Sequence, residues 1–146
     1  MQKGIDYTGL SVVCLCHDGQ GNYLVELRSD QCRDEHFKWS PVGSGAIEYG
    51  ETVAEAVRRE VRKQCGAPVL EREFLGYTES VRTNEAGEQI HWIALDFKVA
   101  VEARSVRITE PHKSLEQRGC TPEAIPFPQH SLFPEYLHKY KNRLSV

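Results

Sequence analysis

Along the chain the apolar positions fall into runs of two periods. Residues 8–16 are apolar and β-branched, 17–22 are polar and Gly-rich, and 23–27 resume an apolar strand pattern, which predicts a hairpin. Residues 29–40 are polar and charged, broken by Phe37 and Trp39, and lead into a Gly-rich stretch over 41–50. This predicts a long loop, and long loops in compact domains often carry function. From Thr52 the period becomes helical. Thr52 and Glu55 make a Thr-x-x-Glu capping box, while Gly66 and Pro68 mark the other end, so a helix is predicted over 53–65. At about 100° per residue, Val53, Ala54, Val57, Val61 and Cys65 share one arc, with Glu55, Arg58, Arg59 and Arg62 opposite. That is the pattern of an amphipathic helix lying on a sheet.

Residues 69–82 and 88–101 are strand-like and flank a turn cluster at 83–87, which predicts a second, longer hairpin. Residues 102–120 are mostly polar, 121–126 suggest a short helical turn closed by proline, and 131–144 carry Leu132, Tyr136, Leu137, Tyr140 and Leu144 at helical spacing. The order β-β-loop-α-β-β-α is an α+β plan, with helices packed against a mixed sheet. No repeat, low-complexity tract or linker interrupts the chain, so one domain over residues 1–146 is expected. At this length a fold buries roughly two thirds of its unfolded surface, and staples are not needed.

Charge and cysteine content narrow the classes. Eighteen Lys and Arg against twenty-one Asp and Glu give a net charge of −3, which argues against a protein built to grip a nucleic-acid backbone. The N-terminal MQKGIDYTGL has no apolar run of signal-peptide length, and the longest apolar stretch, 12–16, is far too short to span a bilayer; a cytoplasmic protein is expected. Five cysteines occur without a C-x-x-C pair or a His at zinc spacing, so structural zinc is not expected. Cys14 and Cys16 share one strand face and read as packing residues.

The stretch Gly45-x5-Glu51-x7-Arg59-Glu60-Val61-x-Lys63-Gln64-x-Gly66-Ala67 resembles the Nudix box, G-x5-E-x7-R-E-U-x-E-E-x-G-U with U aliphatic. Gly45, Glu51, Arg59, Glu60, Val61 and Gly66 match, Ala67 matches as a small apolar residue, and Lys63 and Gln64 depart from it. The resemblance extends over nearly the whole chain, from the strand ending 24–28 and the aromatic loop Phe37-Lys-Trp39 to the strand beginning His91-Trp92 and the Glu110-Pro111 loop. It implies a Nudix fold, an α/β/α sandwich with a mixed central sheet. The activity it implies is metal-dependent hydrolysis of a diphosphate linkage in a nucleoside diphosphate derivative. The partner is then a small nucleotide, with no membrane and with a homodimer left open.

Hydrolysing a diphosphate needs charge neutralisation on phosphoryl oxygens and a positioned water, work done by Mg²⁺ or Mn²⁺ on carboxylates. The resemblance assigns metal ligation to Glu60, with Gln64 and Gly45 as further ligands of a weakly held ion, and gives Arg59 and Glu51 the task of orienting Glu60. Lys63 and Gln64 follow Glu60 at i+3 and i+4 and share its face. A Lys63 ammonium repels an ion there yet can contact a phosphate directly. Turnover is therefore expected to be low or atypical, and a binding or sensing module is the alternative. Arg28 is a phosphate contact or a solvated charge. Trp39, His91 and Trp92 are candidate substrate contacts whose ordinary reading is core, rim or satisfied polar residue. Glu110 and Glu116 are solvated loop glutamates unless one supplies an extra carboxylate.

Overall fold

In a computed structural model, which describes residues 1–144, the chain runs β1 (Gly9–His17), β2 (Tyr23–Arg28), β3 (Trp39–Pro41), β4 (Gly45–Ala46), α1 (Val53–Cys65), β5 (Val69–Thr83), β6 (Gln89–Val101), β7 (Ser114–Cys120) and α2 (Phe133–Lys139). Seven strands form one mixed sheet ordered β3-β2-β1-β6-β5, with β4 on β1 and β7 on β2. None of the described helices is long and apolar enough to cross a membrane.

Alternation along β1 sets the layers. Val12, Cys14 and Cys16 turn to one face and pack with Ala56, Val57, Val61 and Cys65 of α1. Val13 and Leu15 turn to the other face and meet Tyr136 of α2, with Tyr140 and Leu144 beyond it. A strand covered on both faces reads as a continuous apolar run, and this sheet is sandwiched between helices as expected. Cys14, Cys16, Cys65 and Cys120 are buried, whereas Cys32 is partly exposed. Burial pushes the Cys14 and Cys16 thiols well up, so they are inert packing groups.

α1 begins and ends where its caps dictate. The Glu55 amide donates to Thr52 Oγ1 at 3.1 Å, the Thr52 amide donates back to Glu55 Oε1 at 3.1 Å, and Gly66 closes the helix at φ 72°. The long hairpin forms as β5 and β6.

Four expectations need correction. The first hairpin turns at 18–22, but β1 and β2 share a register pair only at His17↔Tyr23. The main partner of β1 is β6, parallel along all nine residues. The segment expected as one loop contains β3 and β4, which pair with β2 and β1 respectively and wedge the two strands apart. The polar stretch 102–120 ends in a strand, β7, antiparallel to β2. The terminal helical spacing yields a short α2 that stops at Lys139, after which isolated turns carry Tyr140 and Leu144 into the core. The splay between β1 and β2 is where the sheet opens into a cleft.

Candidate functional site

The cleft has a volume of about 560 Å³ and is lined from β1, the β3–β4 segment, the exposed edge of α1, β5, β6 and the approach to α2. Its charged lining is Arg28, Arg33, Arg59, Lys63, Arg82 and Lys113 against Asp34, Glu48 and Glu60. A chain of net negative charge thus holds a predominantly cationic cleft. A second cavity, about 410 Å³, is bordered by His17, Asn22, Arg107 and Arg118 and contains none of the box residues.

Glu51, Arg59 and Glu60 come together at one end. Arg59 Nε donates to Glu51 Oε2 at 2.6 Å and its Nη2 to Glu51 Oε1 at 2.9 Å, a bidentate pair. The same Nη2 donates to the Ala46 carbonyl at 2.9 Å, and Nη1 donates to Glu60 Oε1 at 2.6 Å. Hydrogen bonding from Arg59, with the Glu48 amide adding to it, holds the Glu51 carboxyl down at about 2. The same bonds push the Arg59 guanidinium further up.

Glu60 is 4% exposed, and Gly45 is why it fits: a Cβ there would run into the Glu60 carboxylate. Its second oxygen accepts from Gln64 Nε2 at 2.9 Å. Gln64 Nε2 also donates to the Ser44 carbonyl at 2.6 Å, and Gln64 Oε1 accepts from the Gly43 amide at 2.8 Å. The Gln64 oxygen expected as an ion ligand is turned here to a backbone N–H. Lys63 lines the cleft beside it, and its carbonyl is anchored by the Thr109 hydroxyl.

These donors do not fit a divalent cation. Mg²⁺ requires oxygens in octahedral array, at least one from a carboxylate that is free to turn to it. Here each oxygen of the buried Glu60 carboxylate is already turned to a donor, one to Arg59 and one to the Gln64 amide, and Lys63 lines the cleft on the same helix. Among the described residues no group of three or more His, Cys, Asp or Glu side chains is placed to hold a metal ion.

The remaining candidates separate. Trp92 lines the cleft, its indole seated against Gly4 and Gly9, where any Cβ would collide with the ring. Arg28 lines it too, but its guanidinium is engaged with the Asp34 carbonyl at 2.9 Å and carboxylate at 3.0 Å. Trp39 does not reach the cleft: it is 5% exposed, packed with Val25, Ile125 and Phe133, and covered by Arg118 at 4.9 Å. His91 faces outward, bonded to Glu79 Oε2 at 2.6 Å. Glu110 and Glu116 bring no extra carboxylate to the cleft lining. Glu110 sits 4.0 Å from Lys113, and Glu116 pairs with Arg118 on β7 at 2.7 Å, because β7 carries it to the far side of β2.

Sequence reasoning missed the opposite wall. Asp34 bridges Arg28 of β2 and Arg82 of β5, at 3.0 and 3.2 Å. Glu35 and Phe37 hold left-handed backbone, φ 52° and 58°. The Glu35 carboxylate pins that bend to Lys38 at 2.7 Å and to the Ser131 amide at 3.2 Å, and these bonds outweigh burial to hold its pKa down at about 2. His130 lines the cleft with Nδ1 accepting from the Leu132 amide at 3.1 Å, so its neutral ring carries the proton on Nε2; burial lowers its pKa and favours that form. Glu26, half-buried on β2, is pushed up to about 7 by burial, against the pull of Ser114 and Arg28. No local motif joins these residues, since they come together from β2, the loop after it, β5 and the approach to α2.

Comparison with known proteins agrees with the box and the layers. The NUDIX domain profile matches residues 8–140. The nucleoside triphosphatase NudI of Escherichia coli K12 is 30% identical over 106 residues, covering 68% of this chain and 74% of that protein. A MutT NUDIX hydrolase from Burkholderia pseudomallei superposes with TM-score 0.78 at 19% identity, covering 91% of this chain and 98% of that one. The NUDIX domain of Shewanella oneidensis NrtR, solved with ADP ribose, gives TM-score 0.73 at 14% identity, covering 95% and 90%. The profile spanning most of the chain, together with the box on its capped helix, means that the chain belongs to the Nudix hydrolase family.

Proposed function

We propose that the protein takes the phosphate groups of a nucleoside di- or triphosphate derivative into the cleft and hydrolyses a diphosphate linkage there at a low rate. The observation that carries this reading is the position of Arg59 and Lys63 beside Glu60 in a cleft whose charged lining is mainly cationic. The Lys63 ammonium can neutralise phosphoryl oxygens as a point charge, while Arg59 stays bound to Glu51 and Glu60 beside it. The named chemistry of the relatives supports the substrate class, since a nucleoside triphosphate and ADP ribose both contain a diphosphate linkage. The low rate is supported by Glu60, the one carboxylate at the three box positions for metal, whose two oxygens already accept from Arg59 and Gln64.

A second reading, a binding or sensing module without turnover, is favoured by the Gln64 amide. One experiment separates them: a nucleotide panel with and without Mg²⁺ or Mn²⁺, read by thermal shift and by phosphate release. A nucleotide at a hundred times its Kd should stabilise the fold by about 2.7 kcal/mol, a shift of several degrees. Slow release identifies the hydrolase and binding without release the module. No shift with any nucleotide at millimolar concentration would remove both.

A further inference from the structure

We infer that the Gln64 side-chain amide permanently occupies the place between Glu60 and the β3–β4 turn that a divalent ion would need, so that this cleft binds its phosphate-bearing ligand without metal. Lys63 supplies the positive charge that meets the ligand. The ligand half of this inference rests on the reading of the cleft as a phosphate site; the amide lock itself does not.

The orientation of the Gln64 amide is forced by its neighbours. The Gly43 N–H can only donate, so the group facing it is Oε1, at 2.8 Å. The Ser44 carbonyl and Glu60 Oε2 can only accept, so the group between them is Nε2, at 2.6 and 2.9 Å. Both amide protons and the amide oxygen are therefore used. An NH2 group that bridges a backbone carbonyl and a carboxylate does geometrically what a bound cation does, linking two oxygens that would otherwise face each other. It does so with no net charge.

Charge at this end of the cleft is complete without an ion. Arg59 and Lys63 balance Glu51 and Glu60, and Glu60 is almost wholly shielded from water. A dication would have to break the Gln64 bonds to Ser44 and Glu60, share Glu60 with Arg59, and sit beside Lys63, with its added charge uncompensated. The departure at 63 and 64 is thus one coupled change: the amide closes the carboxylate, and the lysine next to it takes over the anion. Lys63 has no carboxylate partner among the described residues and lines the cleft on the same helical face.

Titration of Mn²⁺ alone into the wild-type protein tests the lock directly and needs no variant. The expected result is no binding heat and no rise in thermal midpoint. Gln64→Glu places a carboxylate against Glu60 and the Ser44 carbonyl, so this variant should melt lower in EDTA and recover on adding Mn²⁺. ADP and inorganic pyrophosphate, titrated in EDTA, should bind the wild type, and Lys63→Ala should weaken them about tenfold. Mn²⁺ stabilisation of the wild type that disappears in Glu60→Gln would overturn the lock, as would a Gln64→Glu protein indifferent to Mn²⁺. Binding of ADP only when metal is present would overturn metal-free binding. If ADP and pyrophosphate bind under neither condition, the phosphate reading of the cleft fails, and the two Mn²⁺ titrations still judge the lock alone.

Discussion

Single atoms decide how this site is built. The missing Cβ of Gly45 leaves room for the Glu60 carboxylate, so Gly45→Ala forces the carboxylate off Arg59 and Gln64. An overpacked site of this kind costs about 1–3 kcal/mol, to be read from a denaturant melt; a midpoint unchanged from wild type would mean Glu60 has room to move. Glu26 gives a pH signature. Its folded pKa, about 7, lies above the ordinary 4.5, so the unfolded chain releases the proton first and stability falls as pH rises from about 4.5 to about 7. Glu26→Gln removes that cost. The variant should match the wild type near pH 4 and exceed it above pH 7, and parallel stability curves would show that Glu26 is not held protonated. The box residues were legible because the motif is one contiguous stretch running from β4 through the capped helix α1. Asp34, His130 and Arg82 were not, because nothing within a few residues of any of them marks the cleft.

Helix α1 was readable to the residue because its limits are local hydrogen bonds: Thr52 with Glu55 at one end, Gly66 at the other. Thr52→Ala should destabilise the protein by about 1 kcal/mol, with the denaturant slope unchanged; a loss near zero would mean the cap is redundant. The β5–β6 hairpin was equally readable, since its turn residues sit between two strand patterns. Short strands failed for the converse reason. β3 and β4 are too brief to show a period, and β7 is mostly polar, with only its end residues Ser114 and Cys120 buried. Trp39 reads from its place in an aromatic loop either as a substrate contact or as a core or rim aromatic. Its burial is set by Phe133 and Ile125, roughly ninety residues away in sequence, a contact no local pattern reports.

At the scale of the molecule, the cleft exists because β1 leaves β2 after one register pair and runs beside β6 instead. That parallel pairing joins residues about eighty positions apart, whereas α1 and the β5–β6 hairpin are made of near neighbours. Order in time follows from order in sequence. Closing the long loop between β1 and β6 is the slow, entropically costly event, and the short-range elements can be in place before it. Val12 is fully buried and pairs with Leu95 and Gly45, so Val12→Ala reports on this event. It should slow refolding, with a φ-value well above zero by stopped-flow chevron; a φ-value near zero would mean that β1 docks only after the rate-limiting step. The binding cleft is then the last surface to appear as the chain folds and the first to vanish as it opens. During that interval Lys63 stands on a finished helix with no opposite wall, so a ligand that spans the cleft can be captured only by molecules that have completed the fold.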